Sequence, residues 1–157
     1  MTAPSPLQGT DGLVSIEITL DGTTMPDSFH LLSARVQLGL RAIGRATLAF
    51  MDGDMPNNAF PVVDSGKLDI GTAVRIDAGY DGEVKKIFEG KITAVGSEVT
   101  GDNFPRTIVT VQDGGYDLLR NADVETFTNL SLRDIVSRFI SKSGLTAGTI
   151  DLPTTPV

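Results

Sequence analysis

Asp52, Asp54 and Asn57 are the residues whose types and spacing come nearest to chemistry in this chain. Oxygen ligands at alternate positions can open a calcium loop, which then requires a glycine at its sharp turn and a bidentate glutamate at its end. Neither stands at its expected offset, so the trio fits a solvated turn better than a metal site. His30 is the only histidine, and beside Phe29 in a β-rich run it reads as a structural or surface residue and not as a general base. The chain has no cysteine, which excludes thiol nucleophiles, thiolate metal sites and disulfides. No nucleophile elbow, glycine-rich phosphate loop or paired-histidine metal motif occurs, so acyl transfer, phosphoryl transfer and zinc hydrolysis lack their groups. Asp113, Asp117 and Asp123 are spread along a polar segment where aspartate favours turns, and they receive no catalytic role. The chain is expected not to be an enzyme and to hold no cofactor or metal.

The elements that would position these residues follow from periodicity. Val14, Ile16, Ile18 and Leu20 alternate with Ser15, Glu17 and Thr19, which marks a half-buried strand ended by the turn Asp21-Gly22. A second strand is expected from Phe29 to Arg41, with Leu32, Ala34, Val36, Leu38 and Leu40 on one face. A third, through Ala46, Leu48 and Phe50, should pair with it. Asp52 to Gly66 reads as a loop, and a connection of this length is more often functional or interface-forming than idle. From Gly71 to Ile92 a hairpin is expected. Val74, Ile76, Ala78 and Tyr80 share one face, Asp81-Gly82 turns, and Ile87, Phe88, Gly90 and Ile92 form the return arm, with Gly90 marking a bulge or a close backbone approach. Lys85-Lys86 falls near its tip and reads as a solvated charge pair. Ala94 to Thr100, the turn Gly101-Asp102-Asn103 and Thr107 to Val111 predict a further hairpin. Past Ser131 the period becomes helical: Leu132, Ile135, Val136, Phe139 and Ile140 form one stripe, Ser131 with Asp134 caps it, and Gly144 closes it after about Ser143.

The predicted fold is therefore mainly β, an antiparallel barrel or strongly curved sheet with one short C-terminal amphipathic helix packed against it. Residues 1–12 are expected to be a flexible arm, 13–128 the β domain, 129–145 the helical segment and 146–157 a connector toward a following domain. At 157 residues, 40% hydrophobic and 21% charged, the chain is of single-domain size with a real core. A net charge of -7 argues against nucleic acid as a partner. The start of the chain lacks the pattern of a secretion signal, and no apolar run reaches the roughly 18 residues of a membrane span, so a cytoplasmic product without stable membrane insertion is expected.

The strand ending Ala78-Gly79-Tyr80, its polar turn and the run Ile87-Phe88-Glu89-Gly90-Lys91-Ile92 resemble the hub module shared by VgrG-type spike proteins, phage late-control gene D proteins and contractile-tail baseplate hubs. Val109-Thr110-Val111-Gln112-Asp113, then Phe127-Thr128-Asn129-Leu130-Ser131, then a short helix follow in that family's order. The resemblance runs from about Leu13 to Leu145, and because family modules are longer, the chain looks like the first portion of one, without the spike. It implies a structural role in a phage tail, tailocin or type VI secretion-like machine. In that family three subunits form a ring, each with two similar barrel domains, so that a threefold spike meets a sixfold tube. One such domain is recognisable here.

Membership would imply a homotrimeric hub, with the tail tube protein, spike tip and other baseplate proteins as partners. It would also imply assembly in the bacterial cytoplasm, followed by incorporation into a virion or secretion particle. The candidate subunit-interface residues are Tyr80, Ile87, Phe88, Ile108, Val109 and Val111. They lie on the Gly71 to Ile92 hairpin and on the Thr107 to Val111 run, the two segments expected to form sheet edges. The competing class is a soluble β-sandwich that binds a ligand such as carbohydrate. Such modules use exposed aromatic platforms, whereas this chain has no Trp and only Tyr80 and Tyr116 as tyrosines.

Overall fold

A computed structural model of the protein describes residues 14–54, 57, 59–80, 83–99, 104–120 and 125–155. The chain divides into two compact units, Met1–Asp113 and Gly114–Val157. Within the first, alternating sequence becomes strand wherever a turn lets it fold back: β1 Val14–Leu20, β2 Thr23–Thr24, β3 Leu31–Gln37, β4 Arg45–Met51, β5 Ala73–Tyr80, β6 Glu83–Val99 and β7 Pro105–Gln112. They form one antiparallel sheet in the order β2-β1-β5-β6-β7-β4-β3. The fold is mainly β, as expected. Of the two forms anticipated, the open sheet is found, since β2 and β3 remain edges and no ladder closes the ring.

One face of this sheet holds the core. Ile18 and Leu20 near one end, Val74, Ile76, Phe88, Ile92, Val109 and Val111 in the middle, and Ala46, Leu48 and Phe50 toward the other end join a single cluster. A flat sheet would hold its two ends apart, so the strands must curl over their shared apolar face. Phe29, Val62 and Leu68 add side chains from the connecting segments, and Phe29 meets Phe50 edge to face at 6.1 Å. The Asp52 to Gly66 connection thus helps cover the core, with a short 3-10 helix at Val63–Ser65.

Two differences from expectation have local causes. The hairpin's return arm and the strand expected from Ala94 are one continuous 17-residue strand, β6, because the irregularities fall elsewhere than at Gly90: the register shifts at Ile76/Asp77 and at Ile92/Ala94. Gly90 instead marks a close approach, since a Cβ there would stand 2.7 Å from the Gln112 carbonyl carbon. Lys85 and Lys86 consequently lie within β6, opposite Ala78 and Asp77, and not in a tip. The second strand is shorter than predicted, ending at Gln37, with a bulge between Leu31 and Ser33. The turns expected at Asp81-Gly82 and Gly101-Asp102-Asn103, and the arm over residues 1–12, lie outside the described residues. Tyr80 pairs with Glu83 and Val99 with Pro105, as hairpins require. Asp21-Gly22 turns at positive φ values of 45 and 78 degrees, which suits a two-residue hairpin.

The second unit contains α1 Gly115–Arg120 and α2 Leu132–Lys142. Six residues carry too little periodicity for α1 to be read from sequence. α2 begins as predicted: the Ser131 hydroxyl accepts from the Asp134 backbone N–H at 3.2 Å and donates to the Asp134 carboxylate at 2.6 Å. Ser143 follows as the C-terminal cap and Gly144 takes φ 72 degrees. Within this unit Phe127 packs edge to face on Phe139 at 5.6 Å, Arg138 lies over the Phe127 ring, and Glu125 braces Lys142 at 2.5 Å.

Candidate functional site

The six candidate interface residues do not form one surface. Val109 and Val111 are 0% exposed and Phe88 is 4% exposed, all within the sheet's own core. A side chain already enclosed by its own chain has nothing to offer a neighbour, so these three stabilise the subunit. Tyr80, 61% exposed at the end of β5, and Ile87, 42% exposed at the β6 bulge, remain accessible. Ile108 is half-buried on the opposite face, where it pairs with Ala49 and Gly96.

Of the two expected edges, one is central. β7 is flanked by β4 and β6 and is not an edge. In the β5–β6 hairpin β1 covers β5, but β7 reaches β6 only from Lys91 onward, so residues 83–89 of β6 pair with β5 alone and keep an open strand edge. The apolar character on both parities of β7 arises because Thr107, Val109 and Val111 face the core while Ile108 sits mid-sheet on the other side. β3 is also free along its whole length, as is the part of β1 left uncovered by β2, which pairs only with Thr19 and Leu20.

The face away from the core carries a charged ladder. Glu17 pairs with Asp77 and Asp77 with Lys86; Thr19 pairs with Arg75 and Arg75 with Glu89. Glu17, Thr19, Arg75, Asp77 and Glu89 line a shallow cleft of about 480 Å³. Arg75 grips Asp77 in a bidentate pair, Nε to Oδ2 at 2.8 Å and Nη2 to Oδ1 at 2.7 Å. These bonds raise the Arg75 pKa and hold Asp77 below its usual carboxylate value against the opposing effect of burial. Lys86 donates to Glu89 at 2.8 Å and lowers its pKa likewise. With both Asp77 oxygens on one guanidinium, the arrangement is a closed structural pair and not a poised acid–base couple.

Asp52 is the residue that sequence reading misjudged. It is 3% exposed, not a solvated turn. Its carboxylate accepts from the backbone N–H groups of Gly53 at 3.0 Å, Val62 at 3.0 Å and Val63 at 3.1 Å, and from the Thr107 hydroxyl at 2.7 Å. One side chain thereby folds the loop back and ties it to β7. Gly53 makes room for the turn at φ 115 degrees, against the Pro105 ring. Asp54 holds the Asn57 side chain at 2.6 Å and no shared ligand centre with Asp52 results. No cluster of three or more metal-binding side chains occurs among the described residues. His30 is exposed beside β3. The only sequence signal for the Asp52 role was its place, an acid at a strand's end before a loop that must fold back.

An open, curled antiparallel sheet followed by a short helical unit is a fold found in tail-like machines. It is similar to the 43 kDa tail protein of prophage MuSo2 from Shewanella oneidensis, with TM-score 0.59 and 13% identity, over 90% of this chain and 43% of that one. It is also similar to the E. coli c3393 protein, described as a type VI secretion component with structural similarity to the T4 tail proteins gp27 and gp5, with TM-score 0.58 and 13% identity, over 88% of this chain and 37% of that one. The chain thus spans less than half the length of either, and the likeness at this identity concerns the fold. No curated protein matches the sequence. Residues 10–155 match the family described as the Alg8 N-terminal domain, and the chain belongs to that family.

Proposed function

We propose that this chain is a structural component of a contractile injection machine, of the phage tail, tailocin or type VI secretion kind, and that it forms the trimeric hub or spike base between tail tube and spike. The observation that carries this reading is the fold shared across nine-tenths of the chain with two proteins of such machines. The motifs resembling VgrG-type and gene D hub modules support the finer assignment. Tube, spike tip and neighbouring baseplate proteins are its partners in this reading, and the chain itself performs no catalysis. It is made in the bacterial cytoplasm and ends in a virion or secretion particle. No helix among the described residues is long and apolar enough to cross a membrane.

Light scattering of the full-length protein tests the hub: a trimer is expected. A full-length protein that stays monomeric at every concentration overturns the hub assignment.

A further inference from the structure

Two of the sheet's free edges, on β3 and β1, match each other in geometry and chemistry. Six strands, β1, β5, β6, β7, β4 and β3, follow one another with every neighbour antiparallel. An even number reverses direction from first to last, so β1 and β3 run oppositely. A second copy placed beyond β3 in the same orientation therefore presents its own β1 antiparallel to that edge, which is the condition for the ladder to continue. The side chains agree with this. On β3, Ala34 and Val36 face the core side and Ser33, Arg35 and Gln37 the other, as their pairing with β4 fixes. On β1, Val14, Ile16 and Ile18 face the core side and Ser15 and Glu17 the other.

Charge separates along the same axis. From Ser28 to Met51 the chain contains no Asp or Glu but carries Arg35, Arg41 and Arg45, although 20 acids are spread over its 157 residues. Glu17 lies on the β1 edge, and neither it nor Arg35 has an ion-pair partner among the described residues. The apolar side chains Val14, Ile16 and, just past β3, Leu38 are exposed. A long unpaired strand edge beside exposed apolar residues invites pairing with another chain.

We propose that β3 of one copy pairs antiparallel with the uncovered part of β1 of a second copy, with Arg35 opposite Glu17, Val36 opposite Ile16 and Leu38 opposite Val14. This register leaves Thr19 and Leu20 to β2 and puts Gln37 opposite Ser15. It is a head-to-tail contact through two different surfaces, so it builds a ring or a filament and not a twofold dimer. The proposal rests on the reading that the protein works in several copies.

The absence of cysteine permits a direct test. Residues directly opposite across an antiparallel pair have Cβ atoms about 5 Å apart, within adjustment of disulfide geometry. The full chain carrying both Ser15→Cys and Gln37→Cys should form disulfide-linked oligomers on mild oxidation. Either single substitution should stop at dimers, and the off-register pair Ser15→Cys with Ser33→Cys should link poorly. Glu17→Arg or Arg35→Glu should each lower the yield about fivefold, and the two together should restore it. Equal linking in and out of register, or no recovery in the charge-swapped pair, overturns the pairing. Light scattering on the same samples separates the two ideas: a multimer without the cross-link overturns only the edge pairing, while a monomer overturns the multi-copy reading as well.

Discussion

At the scale of single residues, the charged side chains with consequences are those that hold structure. Asp52 accepts four hydrogen bonds while buried, and removing it leaves the Val62 N–H and the Thr107 hydroxyl without their acceptor. Asp52→Ala should therefore lower unfolding stability by about 2–4 kcal/mol in a denaturant titration; a change near zero contradicts the anchoring role. Asp77 provides a pH signature. Its folded pKa is held below the unfolded value by Arg75, so its contribution is present at neutral pH and is lost as pH falls through the folded value. Stability measured from about pH 7 to about pH 3 should fall more steeply in the parent than in Asp77→Asn, and identical slopes contradict the pairing. Neither role was legible in sequence. Both depend on partners that the fold brings together, Thr107 being 55 positions from Asp52, and spacing along the chain carries no signal of that kind.

At the scale of elements, most of the organisation was legible because one face of each strand is buried. The alternation in Val14 to Leu20, the Asp21-Gly22 turn, the pairing of the second and third strands and the Ser131 cap all reflect local physics that the sequence states directly. Strand order is different, since it depends on which ladders form between distant segments. Without it, the two-sided apolar character of Thr107 to Val111 suggested an exposed edge, whereas β7 is central. The correction carries its own prediction. Val109→Asp places a carboxylate in the core and should cost at least about 3 kcal/mol, unfolding the subunit instead of merely dissociating it. Circular dichroism distinguishes the outcomes, and a folded monomer would return Val109 to the interface. Ser131→Ala should cost only about 1 kcal/mol, the usual loss of a helix N-cap, read as a modest drop in melting temperature; no drop at all would mean that α2 does not depend on its cap.

At the scale of the whole molecule, an open sheet with unpaired strand edges can take up strands from another chain. Its acidic charge does not oppose this, because repulsion at physiological salt is screened beyond about 8 Å. The same fold occurs in proteins more than twice as long, and this chain covers 43% and 37% of the two compared. The helical unit from Gly114 onward was foreseen only in its longer helix, whose stripe and cap are local signals. Electron microscopy of contractile particles, purified from cells expressing an epitope-tagged chain and labelled with gold, locates the chain within the machine. Label should lie at the junction of tube and spike, in about three copies per particle, as threefold ring symmetry requires. Intact particles that carry no label there, with the chain recovered only outside them, would contradict the assignment.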